Sequence, residues 1–209
     1  MDRKGILLVV SGFSGAGKGT LMKELVSHYD NYALSISATT RSPREGELDG
    51  REYFFRTKEE FEQMIADDAL IEHACYVGNY YGTPRAYVEE QLALGRDVIL
   101  EIEIQGALQI KKRFPDTLLL FVSTPDAETL KNRLIGRGTE SLDVVEKRLS
   151  RASEEAEGIE NYDYFIINDD LDTCVTQVHQ IIQGEHSRVS RNLELINTIK
   201  KDISKFQKG

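Results

Sequence analysis

An α/β fold with a mostly parallel central sheet is predicted by three observations. Short apolar runs recur along the chain, segments with helical spacing lie between several of them, and the runs are apolar on both faces, as strands covered on two sides must be. The runs are "ILLVV" at 6–10, "LSIS" at 34–37, "DVILEIEI" at 97–104, "TLLLFVS" at 117–123 and "YFIIN" at 164–168. Helical patterns cover 18–29, about 105–113, 126–136, 143–157 and 171–183. For the third of these, Thr124 is expected as the cap and Pro125 as the first helical residue. In such sheets ligands bind at the carboxyl ends of strands. Functional residues are therefore expected just after these runs.

The first run leads directly into "GFSGAGKGT" at 12–20, and Leu21, Leu25 and Val26 follow at helical spacing. Strand, glycine loop and helix in this order match G-x-x-x-x-G-K through Gly12, Gly17 and Lys18. The backbone N–H groups of such a loop turn inward around phosphate oxygens. Ser14, Gly15, Ala16, Gly19 and Thr20 complete the stretch. Glycine lets the backbone approach closely and take positive φ, the helix start adds partial positive charge, and Lys18 adds a mobile cation. Gly19 stands where Ser or Thr usually follows the lysine. Thr20 is left to approach a magnesium ion directly or through water.

Residues 38–96 break the alternation. "ATTRSPREGELDGREYFF" is polar and punctuated by glycine, Tyr53, Phe54 and Phe55 read as a short strand, and Thr57 with Glu60 forms a capping box for "KEEFEQMIA". "LIEHACYVGNYYGTP" reads as a strand, a turn and an aromatic-rich segment, and "RAYVEEQLALG" as a helix. This is a small mixed β/α insertion between two core strands.

Composition excludes several classes. With 40% hydrophobic and 29% charged residues in 209, the chain is an ordinary globular protein and most simply one domain with insertions. A net charge of −9 argues against a general nucleic-acid surface. No apolar run approaches the ~20 residues that span a bilayer, so no membrane partner is expected. The N-terminus lacks a signal-peptide pattern. Cys75 and Cys174 have no metal-ligand spacing and read as reduced thiols, which points to the cytoplasm. His73 beside Glu72 lacks metal-ligand partners, and the remaining histidines are expected at the surface.

An anionic ligand must then meet a local positive cluster. Arg41 and Arg44 lie three apart, Arg133 and Arg137 four apart, and Arg148 and Arg151 follow. Arginine forks grip phosphate in fixed geometry. Gly136 and Gly138 flank Arg137, as a hinged lid requires. A second arginine loop within the insertion suggests a second phosphate.

These segments, with their order and spacing, resemble the guanylate kinases. "SGFSGAGKGT", "SISATTRSPREGELDGREYFF", "EHACYVGNYYGTP", "ILEIEIQGA" and "RLIGRGTE" carry the resemblance, which with the connecting helices covers nearly residues 5–184. It implies a three-layer P-loop fold with a GMP-binding insertion at 37–96 and a helical lid at 126–157. The core would be 1–36, 97–125 and 158–187, and a tail would follow at 188–209. It also implies phosphoryl transfer from ATP to GMP, and to dGMP, with magnesium. By matching positions, Arg41, Arg44, Tyr53 and Tyr81 would hold the GMP phosphate. Ser37, Glu72 and Thr83 would read guanine. Lys18 and the loop would bind ATP, with Arg133, Arg137 and Arg148 closing over the transferring group.

The chemistry of guanine supports Glu72 independently. Guanine offers N1–H and an exocyclic NH₂ side by side, two donors for a carboxylate's two acceptors, whereas adenine presents a lone pair there. Glu101 and Glu103 alternate out of the strand at 97–104 as an acidic pair. By resemblance they would orient magnesium waters or the GMP base and ribose, Glu101 through water. A catalytically inactive binding module of the same fold is the alternative, but such modules generally lack an intact phosphate loop. The tail carries Val189, Leu193, Ile196, Ile199, Ile203 and Phe206 at spacings of three and four, an amphipathic helix for its own core or a neighbouring subunit. The oligomeric state stays open.

Overall fold

The computed structural model describes residues 4–76, 78–136 and 142–207. In chain order the elements are β1 (Leu7–Gly12), α1 (Lys18–His28), β2 (Tyr32–Leu34), β3 (Ala38–Thr39), β4 (Phe54–Phe55), α2 (Lys58–Ala66), β5 (Leu70–Tyr76), β6 (Asn79–Pro84) and α3 (Arg85–Ala93). There follow β7 (Asp97–Glu101), α4 (Ile104–Arg113), β8 (Leu118–Ser123), α5 (Ala127–Ile135), α6 (Leu142–Ala156), β9 (Tyr164–Ile167), α7 (Leu171–His186) and α8 (Leu193–Ser204).

Five strands form one sheet in the order β2-β7-β1-β8-β9, and every pairing is parallel. Central β1 sets Val9 between Leu100 and Leu119. Because side chains alternate across a strand, Leu8 and Val10 face one layer while Val9 faces the other. The first packs with Leu21 and Leu25 of α1 and Val175, Val178 and Ile182 of α7. The second packs with Val98, Leu100 and Leu119 against Val88 of α3 and Ala107 and Ile110 of α4. Burying each such side chain contributes about 1.5–3 kcal/mol relative to leaving it in water. The two-sided coverage explains why these strands are apolar on both faces.

The inserted segment has its own sheet, in the order β4-β3-β6-β5, with β3–β4 parallel and the other pairs antiparallel. Fully buried Phe61 of α2 supports it with Ala38 and Leu70, and its ring stacks on Tyr80 at 5.3 Å. The expected capping box starts α2: Thr57 Oγ1 accepts from Glu60 N–H at 3.1 Å, and the Glu60 carboxylate from Thr57 N–H at 2.7 Å. A smaller cluster of Leu130, Leu134, Val145 and Ala152 joins α5 to α6, with Phe13 packed against it.

Four expectations are corrected. Helix α5 is capped by Asp126, whose carboxylate accepts from Thr129 N–H at 2.6 Å, and it begins at Ala127 rather than Pro125. Thr124 instead donates its hydroxyl to the Asp126 carbonyl at 2.8 Å. The strand placed at 34–37 is earlier: β2 ends at Leu34, and after Ser35 N–H reaches Ile99 O at 2.9 Å the chain leaves this sheet for β3. Strand β7 ends at Glu101, and Glu103 is the N-cap residue of α4, so the two acids do not share a strand face. His186 is not at the surface either; only 12% exposed, it meets the fully buried Asp97 at 2.8 Å. His179 stacks on Tyr29 at 3.6 Å. Both cysteines are free, and burial pushes the Cys174 thiol up to about 11. Among the described residues no helix is long and apolar enough to cross a membrane.

Candidate active site

The glycine loop runs from the end of β1 to the start of α1. Gly12 has φ 151°, and a Cβ there would lie 2.0 Å from the Val122 carbonyl oxygen of β8. Gly17, the N-cap of α1, has φ 86°, and a Cβ would come within 2.6 Å of Asn168 Nδ2. Both positions combine a left-handed backbone with a neighbour that leaves no room for a side chain. Lys18 Nζ donates to the Gly12 and Phe13 carbonyl oxygens at 2.7 and 3.1 Å. The ammonium is thus folded over the loop mouth, on acceptors that a phosphate can replace.

Asn168 was not singled out from the sequence. Directly after β9 and only 6% exposed, it donates through Nδ2 to the Ala16 carbonyl oxygen at 2.8 Å and ties the loop to the sheet. The available signal was its place: a polar residue at the carboxyl end of a core strand.

Two of the three arginines expected in a lid reach this loop. Arg148 Nη1 donates to Ser14 Oγ at 3.0 Å, and Arg133 Nη1 lies 4.0 Å from where a Gly17 Cβ would be. Arg137 lies outside the described residues. Between the loop, the β7–α4 junction and α6 is a cavity of 340 Å³ bounded by Lys18, Glu101, Glu103, Arg148, Arg151 and Glu155. Crowding by protein holds the Glu101 carboxyl above its ordinary range, while Lys18 and Lys23 pull it the other way. Glu101 Oε2 lies 3.9 Å from where a Gly19 Cβ would be, at the first turn of α1 that carries Thr20. Glu103 turns to the lid side, and Arg151 Nη2 donates to its Oε2 at 2.7 Å.

Across the cleft, the insertion builds a different kind of site. Glu72 of β5 is 7% exposed and Thr83 of β6 is fully buried; the threonine hydroxyl donates to Glu72 Oε1 at 2.8 Å. Gly106 of α4 makes space for the other oxygen, since a Cβ there would lie 3.2 Å from Oε2. Burial pushes the Glu72 carboxyl up to about 7, against the opposing hydrogen bonds from Thr83. Nearby, the Arg41 guanidinium lies 5.2 Å from the Tyr53 ring centre, and Nη2 donates to both carboxylate oxygens of Glu47 at 3.0 Å. The Tyr53 and Tyr81 rings meet edge to face at 6.1 Å. Burial raises the Tyr53 phenol, as do the neighbouring Tyr81 and the negative charge of Glu101, while Arg41 opposes them. Arg44 is exposed on the same loop, its backbone N–H donating to Glu47 at 2.7 Å. Ser37 lies at the entry to β3, where its carbonyl oxygen accepts from Phe54 N–H at 2.9 Å.

The chain therefore carries a backbone cradle suited to phosphates and, in the insertion, a buried carboxylate with an arginine–tyrosine cluster. A family model described as guanylate kinase matches residues 4–185. A guanylate kinase of Bacillus anthracis is 53% identical over 191 residues, covering 91% of this chain and 93% of that one. One from Lactococcus lactis subsp. lactis is 48% identical over 194 residues, 93% and 95% of the two chains. One from Listeria innocua is 47% identical over 208 residues, 99% and 100% of the two. The crystal structure of guanylate kinase from Anaplasma phagocytophilum superposes with a TM-score of 0.73 at 30% identity, covering 90% of this chain and 89% of that one. The phosphate loop, the buried carboxylate and these likenesses agree, and the chain belongs to the guanylate kinase family.

Proposed function

We propose that the chain transfers the γ-phosphoryl group of ATP to GMP, and to dGMP, giving ADP and the nucleoside diphosphate. The observation that carries this reading is the pairing of a complete phosphate loop with the buried Glu72–Thr83 pocket. Phosphoryl transfer asks the protein mainly to align two nucleotides and neutralise charge. Lys18 and the loop N–H groups hold the ATP phosphates. Arg133, Arg137 and Arg148 cover the transferring group and exclude water. Arg41 and Arg44, with the Tyr53 and Tyr81 hydroxyls, hold the GMP phosphate.

Guanine is read by Glu72. Its carboxylate accepts from N1–H and the exocyclic NH₂ in a pocket where the adenine edge would leave it unpaired. Thr83 fixes the carboxyl orientation, and Ser37 closes the base pocket. The division of labour follows the two sheets: core for ATP, the segment 37–96 for GMP, and 126–157 as the lid.

The donors near the loop fit magnesium, because Thr20 and Glu101 supply the hard oxygen ligands and water contacts it prefers. Bound there, magnesium neutralises phosphate charge. Thr20 and Glu101 would hold its waters. We place the activity in the cytoplasm, with soluble nucleotides as its partners.

The test is ADP release from ATP and magnesium, with GMP, dGMP, AMP, CMP and UMP offered separately. Turnover confined to GMP and dGMP is the expected result. Folded protein inactive with all five would replace the kinase by a binding module.

A further inference from the structure

Strand β5, which carries Glu72, is irregular at that residue. Between the pairs Leu70–Pro84 and His73–Gly82 it takes one residue more than β6, so Ile71 and Glu72 together face Thr83. This is a β-bulge, a device that bends a strand and re-aims a side chain. In a regular strand neighbouring side chains point to opposite faces, yet here both meet α4. Buried Ile71 packs with Ala107 and Ile110, and Glu72 Oε2 comes within 3.2 Å of where a Gly106 Cβ would be.

A bulge disturbs the ladder, and the backbone groups it displaces need partners. Arg113, the last residue of α4 and about two turns beyond Gly106, supplies them: its Nη1 donates to the Leu70 and Ile71 carbonyl oxygens at 3.4 and 3.3 Å. Its Nη2 donates to both carboxylate oxygens of Asp68 at 2.6 and 2.8 Å. Asp68 lies between α2 and β5 with φ 52°, and among the described residues no other non-glycine residue has positive φ. Such a conformation persists where its surroundings over-determine it. Arg85, the first residue of α3, holds Asp68 as well: Nε donates to its carbonyl oxygen at 2.8 Å, and Nη2 meets its carboxylate at 2.9 Å.

Given the proposed reading of guanine by Glu72, on which this rests, we propose that Arg113, braced by Asp68, is a positioning residue for that carboxylate. It locks the bulge of β5 onto α4 and so sets the direction in which Glu72 meets the base. It acts through the backbone one and two residues before Glu72. Its planar fork suits the task, since one NH₂ serves two carbonyl oxygens while the other serves a carboxylate, a division that a lysine ammonium does not hold in fixed geometry. Thr83 fixes the carboxyl at its tip, Gly106 leaves it room, and Arg113 fixes the strand from which it springs.

The test is steady-state kinetics of the full chain with GMP and ATP, with circular dichroism as the control for folding. Arg113→Ala is expected to raise KM for GMP about tenfold, with KM for ATP and kcat within about twofold of native. Arg113→Lys, and separately Asp68→Asn, whose asparagine tolerates the left-handed backbone, should show the same split at about threefold, and they decide the matter where the alanine variant loses its fold. In a Glu72→Gln background, Arg113→Ala should cost less than about a further twofold in kcat/KM for GMP, because a residue acting through Glu72 has nothing left to act on. Additive losses overturn the proposal. So do equal rises in KM for both nucleotides, which would mean general loosening, and an active native chain whose Arg113→Ala variant keeps the native KM for GMP. A native chain that turns over no GMP overturns the kinase reading and this assignment with it, and that result is seen before any variant is made.

Discussion

The two halves of the cleft handle charge in opposite ways. At the phosphate loop the groups proposed to hold ATP are backbone N–H donors and a lysine resting on the carbonyls of its own loop, Gly12 and Phe13. In the insertion the proposed base reader is a buried carboxyl, Glu72, held by Thr83 and pushed up to about 7. The first site meets ligands whose charge is large and whose shape is common to many nucleotides, so a rigid backbone and a mobile cation suffice. On the proposed function the second must tell one base from another. Discrimination comes from a desolvated group that is costly to leave unpaired.

If that contrast is right, Lys18→Ala should have the largest effect. Turnover is expected to fall about 10²–10³-fold, while GMP binding measured by calorimetry stays near the native value. A variant losing both equally would mean that the two sites are not separable. Glu72→Gln should follow, lowering kcat/KM for GMP about 10²-fold with little change in KM for ATP. The glutamine amide places an NH₂ against one of the guanine donors, so the preference over AMP should narrow. An unchanged preference would move base reading elsewhere.

The pH dependence sharpens the same point. Since guanine requires ionised Glu72, binding releases a proton from a carboxyl near 7. KM for GMP should therefore fall by about tenfold as pH rises from about 6 to about 8, while KM for ATP stays flat. For stability the sign is reversed. The raised carboxyl favours the folded state when protonated, so this contribution is present below about 4.5 and lost as pH rises through about 7. A flat GMP profile would remove Glu72 as the titrating reader.

Asn168→Ala tests the loop's backbone design. Removing the donor leaves the buried Ala16 carbonyl unsatisfied, at a cost of about 1–3 kcal/mol. KM for ATP is expected to rise roughly tenfold with GMP binding intact; equal losses for both nucleotides would point to general destabilisation. The smallest effect is expected for Glu103→Gln with respect to lid attachment. Its pair with Arg151 is about half exposed on both sides, so thermal denaturation should register less than about 1 kcal/mol.

Legibility differed between the halves for a physical reason. The phosphate loop is local: nine consecutive residues, 12–20, carry the turn, the donors and the cation. Its type and placement after a strand could be read from spacing. The insertion's α2 was equally legible, because a capping box is satisfied by residues three apart. Two boundaries were not. The cap of α5 depended on which of two neighbouring polar residues reached Thr129 N–H, and β7 stopped at Glu101 because the chain turns into α4 there.

By itself the sequence determined the alternating α/β plan, the phosphate loop and the arginine-bearing loops, because each rests on contiguous spacing, and it proposed Glu72 from the donor pattern of a base. Tertiary structure alone decided that Asn168 ties down Ala16, that Gly106 makes room for Glu72, that Arg151 rather than a ligand meets Glu103, and that β9 is left at an open edge. These contacts join residues separated by 34 to 152 positions, as in Glu72 to Gly106 and Ala16 to Asn168. No local periodicity encodes such a meeting; it exists only once strand order has brought the carboxyl ends of β1, β7 and β9 to one side of the sheet.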